Sequence, residues 1–157
     1  MLFIILIFAI LISAFFSSAE TAVTGINHFK LKTLASQNKK KALLLTQLLK
    51  DPKSLLTGIL IGNNVANVAA TAIATSIVVS KTASFNLSPY IILSVNTIGI
   101  TSVILFCSEI TPKSIVLKNP TGYAVYIARI LRNSLLLLKP FIVVFSGFTR
   151  IIFNVLG

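Results

Sequence analysis

Acidic residues are almost missing from this sequence: Glu20, Asp51 and Glu109 stand against 14 lysines and arginines in 157 residues. One cysteine, Cys107, rules out an intramolecular disulfide and a thiolate metal cluster, and one histidine, His28, rules out an all-histidine site. Any metal held by this chain must be held by oxygen. Charge of either sign is scarce, 11% against about 25% in an ordinary soluble domain, while 55% of residues are hydrophobic and mean hydropathy is +0.95. This describes a small all-α integral membrane domain. The net charge of +11 is not a nucleic-acid signature, because no RNA- or DNA-binding motif accompanies it and much of it lies beside apolar segments.

The apolar runs predict three spans, over about residues 2–27, 55–79 and 90–117, with a juxtamembrane region over 120–157. The first would be roughly 39 Å of helix, more than the ~30 Å hydrocarbon layer needs. It has no basic n-region and is too long for a signal h-region, so it is expected to be retained. A polar connection with Lys81, Asn86 and Pro89 separates the second and third spans. No internal repeat is visible.

Lys30, Lys32, Lys39, Lys40, Lys41, Lys50 and Lys53 crowd the first connection, whereas the second has only Lys81. The positive-inside rule therefore predicts an outer N-terminus, and a cytoplasmic lysine-rich connection and C-terminus, in a cell inner membrane. The alternation of leucine and lysine over 28–50 suits interfacial helices on an anionic inner leaflet. Residues 121–139 read as an amphipathic surface helix. The run 141–156 is short for a span and carries Arg150, so it is read as juxtamembrane rather than as a fourth span.

Two of the three acids, Glu20 and Glu109, fall inside apolar segments, where an ionised carboxylate is costly unless paired, hydrated or bound to a cation. Ser13, Ser17 and Glu20 share one face of the first span; Asn63, Asn67, Thr71 and Thr75 share one face of the second, flanked by alanines that admit another helix closely. In the third, Pro112 deprives the carbonyl of Ser108 of its helical donor. Each polar residue also has a plain structural reading. The serines, threonines and asparagines can be interhelical hydrogen bonds, Glu109 can pair with Lys113 one turn on, and Glu20 can be hydrated at the interface. As ligands, these hard oxygens suit Mg2+, Ca2+, Mn2+ or Na+ and suit Zn2+ or Cu+ poorly.

The runs Phe15-Phe16-Ser17-Ser18-Ala19-Glu20-Thr21-Ala22, Ile61-Gly62-Asn63-Asn64-Val65-Ala66-Asn67 and Ser108-Glu109-Ile110-Thr111-Pro112-Lys113 resemble, in order and spacing, the transmembrane domain of the CNNM/CorC family of magnesium transporters. The resemblance implies a homodimer of three-span subunits with juxtamembrane helices, exporting Mg2+ in exchange for Na+. It places Mg2+ ligands at Ser17, Asn63, Asn67 and Glu109, and backbone ligands near the third-span break. Glu20, Ser18, Ser108, Pro112 and Lys113 are further candidates at or beside the site. Ser108 occupies a position often filled by glycine, and Ala19 stands where many relatives have a second serine. Most members continue into paired cytoplasmic CBS domains, which the residues after the third span leave no room for, so no ATP site is expected here. The rival readings are a non-transporting membrane scaffold, whose basic belt binds lipid or a partner, and, more remotely, an intramembrane hydrolase.

Overall fold

The structure is a computed structural model that describes residues 1–37, 39–82 and 89–156, with side chains through 80, at 94 and over 97–145. The polar connection over 83–88 and the side chain of Arg150 lie outside the described residues. The secondary structure of the described residues is all helical: α1 Leu2–Thr24, α2 His28–Ser36, α3 Lys40–Leu48, α4 Pro52–Thr82, α5 Pro89–Ile104, a π turn Leu105–Ile110, α6 Thr111–Val116 and α7 Pro120–Leu156. Leu2–Thr24, Pro52–Ser80 and Thr97–Val116 are long and apolar enough to cross a membrane.

Local chemistry sets the breaks. α1 stops at Thr24, short of the expected 27, because Asn27 turns to cap α2: its side-chain oxygen accepts from the Lys30 N–H at 3.0 Å. Its own N–H donates to Thr121 Oγ1 at 2.9 Å, which ties the turn to the start of α7. Asp51 starts α4 in the same way, accepting from the Ser54 N–H at 3.1 Å with Pro52 at the first helical position. Those hydrogen bonds from Ser54 hold the Asp51 carboxyl below its usual range. One of the three acids is therefore a helix cap.

α1 and α4 form the centre of the bundle. Phe16, Ala19 and Val23 pack on Leu55 and Ile59 of α4 and on Ile127 and Leu131 of α7; further along, Ala9 meets Ala70, Ala74 and Ile104. In a bilayer, where hydrophobicity gives helices little reason to associate, close approach through small residues is what holds such a pair. Gly62 shows how close it is: a Cβ there would lie 2.5 Å from the buried Phe16 ring. Gly62→Ala is expected to destabilise the fold by about 1–3 kcal/mol, because the Phe16 ring must shift out of its packed position to admit the methyl group. Thermal unfolding in detergent checks this, and an unchanged midpoint would show the α1–α4 contact to be looser than described.

Residues 121–139 and 141–156 form one helix that runs through Pro140, rather than two elements. At about 100° per residue its described part has three faces. Ala124, Ile127, Ala128, Leu131 and Ile142 are buried against the bundle, Arg129, Arg132 and Lys139 form an exposed cationic stripe, and Ile130, Leu137, Phe141 and Val144 form an exposed apolar one. Such a helix suits a boundary between protein, hydrocarbon and water. Near its start, Ala124 and Ala128 close a second core with Ala22, Leu31, Ala42, Leu45 and Val116, seating α2 and α3 beneath the spans.

Candidate metal centre

The stripe on α1 and the stripe on α4 face each other, and the π turn meets both. Ser13 Oγ lies 2.5 Å from Asn67 Oδ1 and 3.1 Å from Asn63 Oδ1. Ser108 Oγ is 3.2 Å from the same Asn67 oxygen and 2.7 Å from the carbonyl of Ile104. Asn67 Nδ2 in turn donates to Glu109 Oε1 at 2.7 Å. Asn67 is thus the hub, its amide oxygen within reach of two serine hydroxyls and its amide nitrogen donating to the carboxylate.

Each hydroxyl has one proton to give, so the shorter contacts decide: Ser13 gives its proton to Asn67, and Ser108 gives its proton to Ile104. The Asn63 oxygen, in a side chain that is itself buried, keeps free acceptor capacity. Ser17, one turn below Ser13, has 0% exposure, and its Oγ is the one buried side-chain oxygen without a hydrogen-bond partner among the described residues. Leaving a hydroxyl in that state costs about 1–3 kcal/mol. Its lone pairs are available to a ligand.

The π turn explains how the third span contributes. The N–H of Thr111 bonds to the carbonyl of Phe106, five residues back rather than four. Just beyond it, Pro112 has no N–H to give, so the backbone ladder opens over Cys107 and Ser108. That opening lies beside the Ser108 and Glu109 side chains.

The remaining candidates lie around this cluster rather than in it. Lys113 reaches across to Glu20, Nζ to Oε2 at 3.0 Å, instead of pairing with Glu109 on its own helix. Ser18 Oγ donates to the carbonyl of Phe15 at 2.9 Å and meets Tyr123 Oη of α7 at 2.9 Å, so it joins α1 to α7 one residue away from Ser17. Pro112 lines a small cavity with Ser18 and Tyr123. Thr71 hydrogen-bonds back to the carbonyl of Asn67 within α4, at 2.9 Å. Ser13 sits on the same face as Ser17 and hydrogen-bonds across to α4, a pattern that is the same whether a serine holds helices together or holds a ligand.

No group of three His, Cys, Asp or Glu that could hold a metal ion occurs among the described residues. A cation here would meet hydroxyl and amide oxygens, an opened stretch of backbone and one carboxylate, a hard and nearly neutral set.

Most of this sequence is similar to known proteins. A UPF0053 protein of Haemophilus influenzae is 33% identical over 156 residues, 99% of this chain and 36% of the relative. The UPF0053 inner membrane protein YfjD of Escherichia coli is 30% identical over 146 residues, 93% of this chain and 33% of that one. A chloroplastic DUF21 domain-containing protein of Arabidopsis thaliana is 37% identical over 137 residues, 86% of this chain and 20% of the relative. The chain spans about a third of the length of the bacterial relatives it matches. Residues 4–157 match the family model of the cyclin M transmembrane N-terminal domain, and the chain belongs to that CNNM family of transporter-type membrane proteins.

Proposed function

We propose that this domain carries Mg2+ across the membrane through the Ser13–Ser17–Asn63–Asn67–Ser108–Glu109 cluster, with Na+ as the exchanged ion and a homodimer as the working unit. The observation that carries the reading is the fully buried Ser17 hydroxyl, without a hydrogen-bond partner, one helical turn from Ser13 and its contacts to the Asn63 and Asn67 amides. A membrane protein that needed only packing would gain by an alanine there. Family membership supports Mg2+ as the ion and exchange as the mode. The lysine-rich connection supports a cytoplasmic placement of α2 and α3 against an anionic leaflet in an inner membrane.

Transport of this kind exposes one midplane site alternately to either side and makes no covalent bond. Mg2+ gives up its water reluctantly, so neutral oxygens would bind it partly hydrated, and a single carboxylate leaves net positive charge that favours release. The test is Mg2+ flux into proteoliposomes, with Ca2+, Mn2+ and Na+ as competitors. Wild type moves Mg2+, and Ser17→Ala lowers the flux about tenfold or more, the loss of one ligand being worth more than about 1.4 kcal/mol. A scaffold moves no ion. Flux unaffected by Ser17→Ala would remove that residue from the path.

A further inference from the structure

Ser13, Ser17 and Glu20 lie on one face of α1; Ser108 and Glu109 of the third span meet the Asn67 side chain that Ser13 also meets, and Lys113 meets Glu20. Following α1 toward the lysine-rich connection, the polar track passes from the Asn67 hub to the unpartnered Ser17 and ends at the Glu20–Lys113 pair, 3.0 Å apart. Both side chains are about a third exposed, at 37% and 36%. The pair therefore stands at the exposed end of the track, nearest the lysine-rich connection.

Resting on the cation-transport reading, we propose that Glu20 is a second cation station, and that Lys113 is its tethered counter-ion, displaced when a dication passes between water and Ser17. A carboxylate at this depth needs a positive partner. A lysine ammonium is a compact, strongly hydrated charge on a flexible stem, and a pair this exposed is weak enough to exchange. A dication brings twice the charge to the same oxygen and wins it when its local concentration rises. The arrangement also separates the roles of the two membrane acids: Glu109, tied to Asn67, belongs to the inner cluster, and Glu20 to its approach.

Calorimetric titration of Mg2+ into the purified chain in nanodiscs tests this. Lys113→Gln is expected to reveal a second class of Mg2+ sites about tenfold tighter than Glu20 offers in the wild type, since a repelling cation is gone. Adding Glu20→Gln should remove that class. A Lys113→Gln titration superimposable on wild type, or extra binding that survives Glu20→Gln, overturns the proposal. Should Lys113→Gln fail to fold, Lys113→Arg decides: its planar fork grips a carboxylate harder, so Mg2+ flux should fall severalfold while Mg2+ affinity at the Glu109 site stays as in wild type; unchanged flux overturns it. Failure of the main site reads differently, because the Glu20 class should persist in Lys113→Gln/Glu109→Gln whether or not Glu109 binds Mg2+.

Discussion

Glu109→Gln is expected to fold like the wild type and to bind Mg2+ about 100-fold more weakly. The amide is nearly the shape of the carboxylate, and its oxygen can still accept from Asn67 Nδ2, so the α4–third span contact survives. What goes is the formal negative charge of the cluster, the other donors being hydroxyls, amides and backbone. A factor of 100 is about 2.7 kcal/mol, modest for a unit charge facing a dication in a medium of effective dielectric about 20. Calorimetry on the folded variant reads it directly. Affinity equal to wild type would take Glu109 out of the site.

Asn67→Leu should be the most damaging change, because one side chain serves Ser13, Ser108 and Glu109 together. Ser108 retains the Ile104 carbonyl, but the carboxylate loses its donor and Ser13 falls back on the longer contact to Asn63. The expected result is undetectable Mg2+ binding and a loss of about 2 kcal/mol in stability, allowing for the modest worth of single hydrogen bonds between membrane helices. Asn67→Asp sharpens the test. It sets a second carboxylate against Glu109, so its melting temperature should be low in EDTA and rise with added Mg2+, as binding to the folded state alone requires. A leucine variant that binds Mg2+ normally would reduce the hub to packing.

How far the sequence carries follows from what kind of signal each feature leaves. Three long apolar runs are hard to misread, and the exposed Phe3, Phe8, Val68 and Phe106 on the three candidate spans bear them out. The serine and asparagine stripes were legible because side chains three and four apart share a helix face. Which partner each residue takes was not. Lys113 is four residues after Glu109, the ordinary spacing for a pair, and only the proximity of α1 and α6 turns it toward Glu20. Ser18, in the same motif as Ser17, lies on the side of α1 that meets Tyr123. α7 hides its continuity, since a proline at 140 reads as a boundary wherever the surrounding packing that tolerates it is unknown. Ser13 could not be separated from structural serines, because its role depends on the register of one helix against another.

Ile100, Ile104, Ser108, Pro112 and Val116 form a row of inward-turned residues in the third span, one in every four, with Glu109 and Lys113 half-buried beside it and the other residues between them exposed. In an uninterrupted α-helix a row with that spacing drifts about 40° per step and winds some 160° around the helix over the whole row. Ile100 and Val116 could not then face the same neighbours. The π turn spreads an extra residue over its coil and takes back about one residue's rotation, roughly 100°, midway along the row. The helix is thus a clock reset once, and the reset falls on the six residues that include Ser108 and Glu109. The placing of the candidate ligands Ser108 and Glu109 and the phase of the whole span are set by the same turn, so neither can change without the other.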